Sequence, residues 1–110
     1  MSVVNAHKLK VSTSFSTTPG ARHYEDGPDS GQEFYDKCLR TAFAAAIAEG
    51  EKLIIDLDGT EGYATSFLDE AFVRLVREFG KKRVLSHIEI VSIEEPDWIE
   101  EIRSYINEAD

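Results

Sequence analysis

From Lys8 to Phe15 the chain alternates apolar with polar residues, Leu9, Val11, Thr13 and Phe15 against Lys8, Lys10, Ser12 and Ser14. That period of two predicts a half-buried outer strand. Thr17, Thr18, Pro19 and Gly20 then form a turn, Ala21 to Tyr24 fit a short return strand, and Asp26, Gly27, Pro28 and Asp29 make a second break. Beyond it the period changes. Phe34, Tyr35, Cys38, Leu39, Ala42, Phe43, Ala46 and Ile47 recur at helical spacing. Ser30 and Glu33 have capping-box spacing at the start of this helix, and Gly50 supplies a left-handed stop.

A short apolar strand follows over Lys52 to Asp58, of the kind buried on both faces in α/β sheets. The loop GTEGYA leads into the strongest amphipathic segment, TSFLDEAFVRLVREF, whose Phe67, Leu68, Ala71, Phe72, Leu75, Val76 and Phe79 make one stripe ending at Gly80. Asp69 and Glu70 fall in its expected first turn, and Lys81, Lys82 and Arg83 just past its end, both suited to the helix dipole. Val84 to Ser92 reads as another strand. Pro96 opens a last helix with Trp98, Ile99, Ile102, Tyr105 and Ile106 on its apolar side.

Strands alternating with helices predict a small α/β domain: a mixed, partly parallel sheet of about four strands, covered by about three helices, with the N-terminal hairpin antiparallel. The 110 residues fit one domain, which at this size buries about 65% of its unfolded surface.

Charge narrows the partners. Twelve basic against twenty-one acidic residues give a formal net charge of −9, which disfavours nucleic acid, whose phosphates attract basic proteins. A basic protein partner fits better, and an acidic decoy acting through net charge is one reading. Cys38 is the only cysteine, so neither an intramolecular disulfide nor a cysteine-rich zinc site is available, and its apolar setting predicts a buried thiol. No cofactor is indicated. His7, His23 and His87 show no metal-ligand spacing. The N-terminal MSVVNAHKLKVSTSF lacks a leader pattern and no run approaches about 20 apolar residues, so the expected location is cytoplasmic, without membrane contact.

Two chemistries compete for the central segment. Asp56-Leu57-Asp58-Gly59-Thr60 resembles the first motif of the haloacid dehalogenase superfamily, which implies an aspartate nucleophile at a strand end beside Mg²⁺. That superfamily also needs a later lysine and acidic pair on further strands, and only about 50 residues follow Thr60. Catalysis is therefore the secondary expectation. Turn chemistry alone also accounts for Asp58, Gly59 and Thr60.

The longer stretch, from Asp26-Gly27-Pro28-Asp29-Ser30-Gly31 through LIIDLDGTEGYATSFLDEAFVRLVREFG, resembles the STAS-like bacterial family of unknown function, related to sulfate-transporter and anti-sigma-factor-antagonist domains. The resemblance spans roughly residues 20 to 92 and is densest at GYATSFLDEAF. It implies a non-enzymatic signalling module with a protein partner, an ATP-binding kinase or an anti-sigma-like protein. It also implies a phosphorylatable hydroxyl between strand and helix, here Thr65 or Ser66. The antagonists show Asp-Ser-Ser-Gly there, against Ala64-Thr65-Ser66-Phe67 in this chain.

The partner-binding surface expected from these residues comprises Glu61, Tyr63, Thr65, Ser66 and Asp69, with Arg22 beside the loop, next to His23 and Tyr24. Tyr63 fits an exposed aromatic anchor or a side chain folded back on the core. Ser66 also fits an unmodified N-cap paired with Asp69.

Overall fold

A computed structural model describes residues 7–109. Among them β1 (Lys8–Lys10), β2 (Leu53–Asp56) and β3 (Ile88–Val91) form one sheet in the order β1-β2-β3, with both pairs parallel. Leu9 sits opposite Ile55, and Ile55 opposite Ile90. These side chains and Leu53 point to the core, where Leu9, Leu53 and Ile55 are buried. In the alternate register Lys8, Ile54 and Glu89 share the other face, and Ile54 is only half-buried. The apolar run at 53–57 therefore does not have both faces equally covered.

The sheet thus has three parallel strands instead of a mixed four. The expected N-terminal hairpin is absent among the described residues because β1 leaves the sheet after Lys10 and turns into α1 (Val11–Ser14). Val11 and Phe15 are four residues apart, a separation that both a strand and a helix place on one side. Val11 is fully buried, Phe15 packs its ring 5.3 Å from Phe34, and Thr13 is exposed. Tertiary contact thus selects the helical turn. Ala21 to Tyr24 likewise makes no strand. Its carbonyls at Ala21 and Arg22 accept from Gly31 and Gln32 N–H at 2.8 and 3.0 Å, Gly20 N–H donates to Asp29, and a 3₁₀ turn follows at Tyr24–Asp26.

The first long helix comprises α2 (Gly31–Phe34), a π-helical turn at Tyr35–Leu39, and α3 (Arg40–Ala48). Ser30 caps it as its pattern predicts, accepting the Glu33 N–H at 3.0 Å. The Glu33 carboxylate, however, pairs with Lys37 at 2.7 Å. Gly50 takes the left-handed conformation, φ 69°.

Helix α4 (Thr65–Phe79) buries the predicted stripe from Phe67 to Val76. Gly80, φ 95°, turns the chain directly into α5 (Lys81–His87), so the strand expected from Val84 begins only at Ile88. Val84 is fully buried from within this helix. The basic residues 81–83 lie just past α4, as expected, and also open α5. Helix α6 (Asp97–Glu108) packs Ile102 and Ile106 into the core and lies against α4. None of the described helices is long and apolar enough to cross a membrane.

Candidate functional site

In parallel α/β sheets the carboxyl ends of the strands collect ligand-binding loops. Here β2 ends at Asp56 and β3 at Val91, and the loops after them are locked together by a side chain from each. The Asp58 carboxylate accepts the N–H of Ile93 at 3.0 Å and of Glu94 at 2.9 Å. These backbone donors, that of Glu94 first, hold its pKa below the usual carboxylate value. In return Glu94 Oε1 accepts the Gly59 N–H at 2.9 Å. Asp56 is buried, accepts the Asp58 N–H at 3.0 Å, and lies 3.9 Å from both Lys8 and Lys10.

The DLDGT segment is thus a clasp between the β2 and β3 loops. Gly59 takes φ 95°, a left-handed conformation that favours glycine, and a β-carbon there would also sit 2.7 Å from the Ser12 Oγ of α1. Among the described residues no group of three or more His, Cys, Asp or Glu side chains converges as a metal site.

Between the clasped loops opens a cleft of about 330 Å³, lined in part by Asp58, Glu61, Tyr63, Glu94, Glu95 and Trp98. Tyr63 has folded back. Its hydroxyl donates to the Leu57 carbonyl at 2.8 Å, and its ring lies 5.9 Å from Phe67 and 6.1 Å from Trp98, edge-on to the latter at 79°. Burial raises its phenol pKa well above 10. It is therefore a fixed wall of the cleft and not a projecting loop tip.

The segment then enters α4. Ala64 is the N-cap and offers no side-chain acceptor, so Ser66 is not the capping residue. Thr65, the first helical residue, is exposed, and Ser66 is partly exposed. Asp69 and Glu70 lie one turn deeper than the sequence places them, outside the first turn. Arg22 reaches across from the N-terminal loop, donating to Asp69 at 2.9 Å and to Glu70 at 3.4 Å. The hydrogen bond to Asp69 is the main cause of its raised pKa.

Glu70 is nearly buried and is met also by Arg74 and, at 3.4 Å, by His23. A carboxylate at that depth requires such partners. Tyr24 is exposed and donates to Asp36 at 3.1 Å.

The predicted residues therefore divide. Glu61 and Tyr63 belong to the cleft, Arg22 and Asp69 form an ion pair farther along α4, and Thr65 and Ser66 stand at the helix start between them. The roles of Trp98, Glu94 and Glu95 in the cleft were not evident from sequence, where Trp98 fits the apolar stripe of the last helix. The signal that points to them is position, since they follow a strand's carboxyl end. Ile93, in the same loop, is 79% exposed, well above any other large apolar side chain among the described residues.

A family model described as a STAS-like domain of unknown function (DUF4325) matches residues 30–98 of the chain. No curated protein and no solved structure matches it significantly.

Proposed function

Because the chain belongs to the STAS-like domain family of unknown function (DUF4325), we propose that it is a regulatory protein-interaction module. Its switch surface is the segment from Glu61 to Asp69, and its partner is an ATP-binding kinase or an anti-sigma-like protein. The observation that carries the reading is the start of α4: an exposed threonine stands first in a 15-residue helix whose N-cap is alanine. The first N–H groups of a helix have no partner within it, and an anion beside them is stabilised by about 0.3–1 kcal/mol, more where partly buried. A phosphate on Thr65 supplies such an anion.

Like-charge repulsion from Asp69 and Glu70 is the counterweight. Arg22 offsets it, being paired with both carboxylates. Modification at Thr65, with Ser66 as the second hydroxyl, changes local charge by about −1.5 to −2 beside the Glu61–Tyr63 loop and so changes what that surface binds.

The test is copurification from native lysate in Mg-ATP with the mass of the bait measured. An ATP-binding partner, with phosphate localised to Thr65 or Ser66, is the expected result. Unchanged partner binding and regulation in Thr65→Ala and Ser66→Ala would overturn the switch.

A further inference from the structure

The cleft beside the switch segment has a composition that selects its ligand. Four carboxylates, those of Asp58, Glu61, Glu94 and Glu95, line it, and among the described residues no lysine or arginine does. Their availability differs. Asp58 is occupied by the Ile93 and Glu94 N–H groups, and Glu94 accepts from Gly59. Glu61 and Glu95 are exposed, and no cation engages their carboxylates among the described residues.

Two of the remaining lining side chains, Tyr63 and Trp98, are aromatic. Tyr63 is pinned by its hydroxyl to Leu57 and braced edge-on by Trp98, so its ring has no rotamer to freeze when a ligand arrives. A cation beside an aromatic face gains from the ring quadrupole, and arginine does so more often than lysine because its flat guanidinium also stacks. A guanidinium further supplies a planar fork of donors to carboxylates. At the rim, Ile93 projects from the loop that Asp58 holds in place.

We propose that this cleft is an arginine-binding recess. A basic segment of a protein partner seats a guanidinium against Tyr63 and Trp98, with Glu61 and Glu95 as counter-charges, while Ile93 packs on a neighbouring apolar side chain of that segment. The inference rests on the reading of the chain as a protein-interaction module and gives the partner's chemistry. It places recognition in the cleft, next to the hydroxyls proposed for control.

The experiment uses the full chain and three probes: a blocked hexapeptide alternating arginine and leucine, its lysine counterpart, and free arginine amide. Trp98 is the single tryptophan, so its fluorescence reports the cleft, with calorimetry giving affinity independently of that signal. The expected result is saturable binding of the arginine peptide, at least several-fold tighter than the lysine peptide. Glu61→Gln combined with Glu95→Gln should weaken it about tenfold, and Glu51→Gln combined with Glu89→Gln, both outside the cleft, should leave it within about twofold.

Three results overturn the proposal. They are equal binding of the two peptides, equal loss in the two double variants, which is the mark of diffuse charge attraction, or free arginine amide binding as tightly as the peptide. The switch and the recess fail separately. A copurified partner indifferent to the cleft variant leaves the interaction module without the recess. Arginine-peptide binding in a chain whose Thr65→Ala form regulates normally leaves the recess without the switch.

Discussion

Replacing Gly31 by alanine tests the packing that positions the start of α4. Gly31 is buried at the first position of α2, and a β-carbon there would lie 2.4 Å from the Phe67 carbonyl oxygen, 3.1 Å from its carbonyl carbon and 3.2 Å from Glu70 Cβ. Non-bonded heavy atoms settle at about 3.5 Å, so one helix must retreat by roughly 1 Å. The obstacle is helix backbone, which cannot rotate aside as a side chain does.

Overpacking of this kind costs about 1–3 kcal/mol, and alanine recovers about 0.4–1 kcal/mol by restricting the unfolded chain. The net loss expected for Gly31→Ala, the difference between those two effects, therefore spans about 0–2.6 kcal/mol with a centre of about 1.3 kcal/mol. With a urea slope of about 1–2 kcal/mol/M for a small domain, the unfolding midpoint should fall by about 1 M. Urea titrations followed in parallel by Trp98 fluorescence and far-ultraviolet circular dichroism read this directly. Amide resonances from Thr65 to Leu68 should also shift, because the displaced atoms belong to Phe67. A midpoint at or above that of the unaltered chain, with those resonances unmoved, would refute the close-approach argument.

Three other outcomes follow from the same geometry. Phe67 is fully buried with the Phe34 ring at 5.6 Å, the Tyr63 ring at 5.9 Å and the Phe15 ring at 6.2 Å, so Phe67→Ala should cost about 3–5 kcal/mol in urea unfolding, and a loss below about 1.5 kcal/mol would contradict that placement. Asp58 has a folded pKa below its unfolded value near 3.9, so its contribution to stability is present above that value and lost as pH falls through the folded pKa. Melting temperature measured from neutral pH downward should consequently fall less steeply at acid pH in Asp58→Asn, and parallel acid limbs would remove the clasp from the account. Cys38 is half-buried and its thiol pKa is raised by burial; its reaction with an aromatic disulfide at neutral pH should be about tenfold slower in the native chain than in the urea-unfolded one, and equal rates would show an open thiol.

Much of the architecture is legible in the order of residues where one period dominates. The α4 stripe from Phe67 to Val76 fits a helix and no strand, and the structure buries it as read. Ser30 is likewise recognisable as a cap from its spacing to Glu33, although the reciprocal half of the motif is replaced by the Glu33–Lys37 pair. The short parallel strand at 53–56 is marked by its apolar run between Gly50 and Gly59. The STAS-like family model covers residues 30–98, a span that includes all three of these features.

Tertiary structure decided the places where two periods coincide or where distant loops meet. Val11 and Phe15, like Val84 and Ile88, are four residues apart, and only packing against the core assigned the intervening residues to helix instead of strand. Arg22 and Asp69 were both candidates, but their union, and the dependence of buried Glu70 on the same guanidinium, spans 47 and 48 positions of sequence. The cleft is the extreme case, because Tyr63 belongs to the loop before α4 and Trp98 to α6, and the Asp58 clasp between two strand ends holds their loops together. Periodicity is a property of neighbours along the chain, whereas a binding surface is a property of neighbours in space. The sequence could therefore name the helix that carries the switch segment, and only the folded chain could assemble the recess beside it.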